Sequence, residues 1–122
     1  ILTRADLTGA NLTDVDLSGK DLTGTILTGA NLSNADLYGV DLSGKDLTGT
    51  ILIDVYLSGM DLTGTILIGA DLTGANLTGA ILAGADLTNA ALTDALLRDA
   101  NLEDAILTNA ILNCVGHPLC IG

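Results

Sequence analysis

The sequence predicts an all-β solenoid, and three spacings carry that expectation. Leu stands at position 2 and at every fifth position through Leu112, which is 23 leucines in 23 slots. Two residues before each Leu, 13 of the 22 slots from Ala5 to Ala110 hold Ala. Two residues after it, 13 of 23 slots hold Gly, running from Gly9 to Gly84.

A helix advances about 100° per residue, so a period of five rotates successive leucines by about 140° and scatters them around the cylinder. A strand alternates faces with period two, so an odd spacing sends consecutive leucines to opposite sides. What gathers them is a chain that turns a corner once per repeat. Each five-residue side then sends its Leu and its small residue inward to a shared axis. Gly, Asn and Asp two residues after each Leu suit the corner, because turns ask for positive φ or for local side-chain hydrogen bonds. Coils stacked at about 4.8 Å would pair their backbones and satisfy the main-chain polar groups. That is the plan of a solenoid.

Stretches such as "ANLTG" at 75–79, "ADLTN" at 85–89 and "ANLED" at 100–104 fit the motif A-[DN]-L-x-x. In this the sequence resembles the pentapeptide-repeat family over nearly its whole length, from Ile1 to about Cys114. The resemblance implies a right-handed four-sided β-helix with four repeats per coil, so that positions 20 apart stack. On that plan residues 1–113 form about 5.5 coils at about 4.8 Å each, and residues 114–122 form a C-terminal cap or tail.

Along the chain, the repeat starts at Ile1 with neither Met nor a charged and apolar leader, so a preceding segment is expected to have been removed. The segment "LSGKDLTGTIL" then occurs unchanged at 17–27 and 42–52, with a diverged copy, "LSGMDLTGTIL", at 57–67. The identical copies lie 25 apart and cannot stack in a coil of 20, so the duplication reads as a history of repeat gain. Lys20 and Lys45 occupy the small inward slot, where each stem should lie along the wall and the ammonium reach solvent or the neighbouring Asp21 or Asp46. In the tail "LNCVGHPLCIG" the rule stops: His117 stands where Leu is due and Pro118 cannot donate a ladder hydrogen bond. Cys114 and Cys120 are suited to a short disulfide, with Val115 or Leu119 plugging the core; free buried thiols are the alternative. A metal site from Cys114, His117 and Cys120 would have only three ligands at an unfamiliar spacing.

Composition narrows function. Of 122 residues, 48% are hydrophobic, yet there is no Trp or Phe and only Tyr38 and Tyr56. A net charge of -11 argues against direct nucleic-acid binding, which requires clustered cations, and favours a protein partner with a basic surface. A polar residue interrupts every apolar run, so no membrane span is expected. With one His, no nucleophile elbow and no phosphate-binding glycine loop, neither catalysis nor a cofactor is expected.

The register of 20 puts Asp21, Asp41 and Asp61 in one outward column, with Asp16, Asp36 and Asp46 on neighbouring sides, as an acidic interaction face. Such a face would meet a basic protein surface in a non-catalytic, structural or interaction solenoid. Some pentapeptide-repeat proteins are DNA mimics that bind type II topoisomerases, so resemblance makes a gyrase-binding regulator the alternative. This sequence departs from them in lacking a central Phe, a loop between coils and an evident C-terminal helix. Towards the C-terminus the outward slots Ala91, Leu96, Ile106 and Ile111 turn apolar, a patch that a cap or a second copy, making a homodimer, would cover. The column Thr8, Thr28, Thr48, Ile68, Thr88, Thr108 resembles an ice-binding ladder, but the adjoining column alternates acid with aliphatic. The family resemblance suggests a bacterial origin, and the paired cysteines favour periplasm or thylakoid lumen without excluding cytoplasm.

Overall fold

In the computed structural model, which describes residues 2–121, most repeats contribute one parallel single-residue bridge to the repeat 20 positions later, as in Asp6↔Ile26, Asn11↔Asn31, Asp16↔Asp36 and Asp61↔Ile81. A spacing of 20 with a period of five closes each coil in four sides. We call them the Asp6, Asn11, Asp16 and Asp21 sides after the first bridge-position residue of each.

The corners explain the sequence slots. Every corner residue from Arg4 to Asn109 has positive φ, between 57° and 73°. From Leu2 to Leu107, the amide three residues after each Leu of the repeat donates back to the Leu carbonyl, as in Ala75 N to Leu72 O at 3.0 Å. Each corner is thus a tight turn whose third residue is left-handed, a conformation that Gly, Asn and Asp reach at least cost.

From Leu17 to Leu97 the leucines at the five-residue spacing are buried, and so are the alanines at Ala70, Ala75, Ala80, Ala85, Ala90 and Ala95. At the two ends Leu2, Leu7, Leu12, Leu102, Leu107 and Leu112 are only partly covered.

The ladder between coils is not continuous. Asp21 and Asp41 make no bridge to each other, and Asp41 makes none to Asp61. Ile26 is likewise unpaired with Asp46, and Asp36 with Tyr56. Two slits therefore open between neighbouring coils, one from residues 21–27 to 41–47 and one from 36–42 to 56–61.

The inward slots give the cause. Lys20, Val40 and Met60 follow one another in a slot that holds Ala at 80 and 100; Val40 and Met60 pack against the core while Lys20 turns out to solvent, and large residues in succession crowd the slot. The ladder closes again where Ala follows: Ile81 N donates to Met60 O at 2.9 Å. A large residue next to a small one is tolerated away from such a succession: Val15, Ala35, Val55 and Ala75 share a column whose bridges 16↔36 and 56↔76 form, while 36↔56, beside the Val40–Met60 step, does not.

Lys45 wedges the other corner. Its ammonium donates to Leu22 O at 2.8 Å and Thr25 O at 3.4 Å. The expected route to solvent or to Asp46 is thus corrected: the lysine occupies Thr25 O, the carbonyl to which the Asp46 amide would donate in the regular ladder. Above the wedge pairing resumes at Asp46↔Ile66.

At the C-terminus, Leu96 pairs with Val115 rather than with residue 116, so one residue has dropped out of the last corner. The shift places Cys114 over Ala95, where it is buried, and a disulfide joins it to Cys120 with Cα atoms 4.9 Å apart. Val115 and Leu119 are exposed, at 51% and 40%, so neither plugs the core as the sequence suggested. The missing corner residue swings both outward and Cys114 inward.

Candidate interaction surface

The recurring pair Asp/Asn-Leu-Thr/Ser fixes the outer surface. The carboxylate or amide before each Leu accepts from the amide, and usually the hydroxyl, of the residue after it. In the Asp21 column the Thr23 hydroxyl and amide donate to Asp21 at 2.5 and 2.9 Å, and the Ser43 hydroxyl and amide to Asp41 at 2.7 and 3.0 Å. The hydroxyls of Ser18, Thr23 and Ser43, then their amides, hold Asp16, Asp21 and Asp41 below the usual carboxylate range. Asp61 is also lowered, by the Thr63 side chain and amide, although the Asp41 charge pushes it upward. All of these carboxylates face solvent, ionised and held in one orientation. The Thr or Ser that does this is visible in the sequence as D-L-T and D-L-S.

The same pairing engages the threonine column: Thr8, Thr48 and Thr88 each donate a hydroxyl to an Asp at 2.6 Å. Those hydroxyls are turned along the surface rather than presented to solvent.

The structure distributes the sequence-predicted acids over three sides. Asp21, Asp41 and Asp61 follow one another on the Asp21 side, Asp16 and Asp36 are bridged on the Asp16 side, and Asp46 lies on the Asp6 side. The Asp21 column is not the evenly paired ladder that the register alone suggests, because both slits cross it. Its first slit is a cleft of 480 Å³ lined by Lys20, Asp21, Asp41 and Lys45, so cations sit among the acids there. The second slit widens on the Asp16 side into a cleft of 550 Å³ lined by Asp36, Tyr38, Asp54, Tyr56 and Met60, which no cation lines.

The apolar residues near the C-terminus are not brought onto one face. Ile106 is on the Asp6 side, Ala91 and Ile111 are paired on the Asn11 side, and Leu96 is on the Asp16 side beneath Val115. They form a collar around the last coils, with Leu96, Ile106 and Ile111 exposed by 41%, 48% and 52%. Among the described residues there is no helix, no loop between coils and no helix long and apolar enough to cross a membrane.

A family model for pentapeptide repeats matches eight copies over residues 5–44, 46–79 and 75–113. The chain is 38% identical to a solved pentapeptide repeat protein, Rfr23, from the cyanobacterium Cyanothece 51142, with a TM-score of 0.69 over 94% of this chain and 90% of that one. It is 30% identical to HetL, a pentapeptide repeat protein involved in heterocyst differentiation regulation from the cyanobacterium Nostoc sp. strain PCC 7120, with a TM-score of 0.48 over 98% and 69% of the two chains. A pentapeptide repeat protein from the Arabidopsis thaliana thylakoid lumen shares 24% identity at a TM-score of 0.52, over 93% of this chain and 66% of that one. No curated protein sequence matches the chain. The architecture that these comparisons share with the present one is the right-handed quadrilateral β-helix.

Proposed function

This chain belongs to the pentapeptide-repeat family, and we propose that it is a non-catalytic interaction solenoid whose acidic flank docks a basic surface of a protein partner. One observation carries the reading: carboxylates on three adjoining sides are exposed and pre-oriented by their own Thr and Ser neighbours, around a core already filled by Leu and Ala. Fixed acids on a rigid rod suit electrostatic docking, because little side-chain freedom is lost on contact. A packed axis leaves no interior chamber in which a reacting group could be desolvated.

The test is capture of partners from the source lysate by immobilised wild-type chain and by the triple variant Asp21→Asn, Asp41→Asn, Asp61→Asn. Asn retains the acceptor oxygen that holds each turn, so the coil should persist while the charge goes. The captured protein should be released as salt rises from about 50 mM to about 500 mM, where exposed charges are screened beyond a few ångströms. The variant should hold it at least about tenfold more weakly, the direction expected for lost charge complementarity. A partner retained equally by the variant and at high salt overturns the electrostatic reading.

A further inference from the structure

The chain has two aromatic residues, and both are exposed: Tyr38 by 80% and Tyr56 by 65%. They stand 18 positions apart, which a coil of 20 turns into neighbours on successive coils, and they line one cleft with Met60. Exposed Tyr has no role in this core, which is built from Leu and Ala.

Three features of the cleft describe one kind of occupant. Two phenol rings and a thioether offer flat, polarisable walls, and the face of an aromatic ring attracts a cation, most often a guanidinium. Asp36 and Asp54 line the same cleft with no Lys or Arg among its walls, unlike the neighbouring cleft that Lys20 and Lys45 share. The slit also leaves hydrogen-bond acceptors free. In the intact ladder, Leu57 N donates to Asn76 O and Gly59 N to Thr78 O. The corresponding carbonyls of Tyr56 and Ser58 accept no hydrogen bond among the described residues, nor does that of Ala35. By the register of the ladder all three face the gap between coils.

We propose that the Tyr38–Tyr56 cleft receives an arginine side chain of a basic protein partner. The guanidinium plane lies against the rings, its donors meet the free carbonyls, and Asp36 and Asp54 supply the opposite charge. Arginine fits better than lysine because a planar fork of five donors can stack and hydrogen-bond at once, whereas an ammonium is a compact and strongly hydrated point charge. The inference rests on the acidic-docking function proposed above and assigns its anchor point: the long-range attraction comes from the acidic flank, and the short-range selection from this cleft.

With no Trp and two Tyr, intrinsic tyrosine fluorescence reports directly on the cleft. The experiment titrates hexa-arginine and hexa-lysine into the wild-type chain and into the double variant Tyr38→Ala, Tyr56→Ala, following heat of binding for all and fluorescence for the wild type. Both tyrosines are exposed, so the variant should fold, which its circular dichroism checks. Hexa-arginine should change the tyrosine emission and bind the wild type several-fold more tightly than hexa-lysine does. The double variant should lose about tenfold in affinity for hexa-arginine and the preference between the two peptides. The variant Asp36→Asn, Asp54→Asn, which keeps both rings, should also weaken hexa-arginine. Equal affinity of hexa-arginine for wild type and tyrosine variant, with tyrosine emission unmoved, overturns the cleft while leaving acidic docking in place. Absence of binding by either peptide to the wild type overturns both.

Discussion

Replacing Leu77 with Ala should lower the stability of the solenoid by about 3 kcal/mol, read as a shift in urea or thermal unfolding. Leu77 is fully buried in the middle of the rod, with the buried leucines Leu57 and Leu97 one coil to either side. The surrounding wall is held by ladder bonds on both faces, such as Leu57 N to Asn76 O and Leu77 N to Leu96 O, each at 2.8 Å. It cannot collapse into the space, so the lost transfer energy and the cavity both count. The same change at Leu107, which is partly exposed in the last coil, should cost about half as much. Equal losses at the two sites would mean that the leucine column is not a graded core with open ends.

Reducing the Cys114–Cys120 disulfide is expected to cost about 2 kcal/mol, the loop-closure entropy of so short a ring. The bond ties down a tail otherwise fastened by few contacts: Val115 N to Ala95 O at 2.8 Å, Leu97 N to Val115 O at 2.8 Å and Ile121 N to Leu112 O at 2.6 Å. In a solenoid each coil contacts only its neighbours, so loosening should start at the C-terminal coil and leave the middle intact. A non-thiol reductant, or the double variant Cys114→Ala, Cys120→Ala, should lower the melting temperature and expose the amides of Val115 and Ile121 first. An unchanged melting temperature would show that the last coil stands without its clasp.

The period of five, the filled leucine column and the corner at the Gly slot were legible in the sequence because each is a local rule repeated without a break. Period five does not fix how many sides close a coil; the family resemblance supplied four, and bridges such as Asn31↔Ile51 fit it. The slits were hidden for a physical reason. The leucine column runs unbroken through them, and Lys20, Val40 and Met60 become consecutive only once positions 20 apart are stacked. Tyr38 and Tyr56 were hidden in the same way, as two isolated residues until the coil made them neighbours. The shifted last corner is not legible because nothing in "LNCVGHPLCIG" marks which residue has been dropped.

The interaction clefts exist only if the coils part where bulky inward residues follow one another, and amide hydrogen exchange resolved by residue measures that directly. The amides of Leu22, Leu37, Leu42 and Asp46, which lack ladder partners, should exchange far faster than those of Leu32, Leu47, Leu62 and Ile66, which donate to the adjoining coil at 2.7 to 3.0 Å. Uniform protection along both sets would mean that the ladder is closed, and the tyrosine cleft with its free carbonyls would not exist.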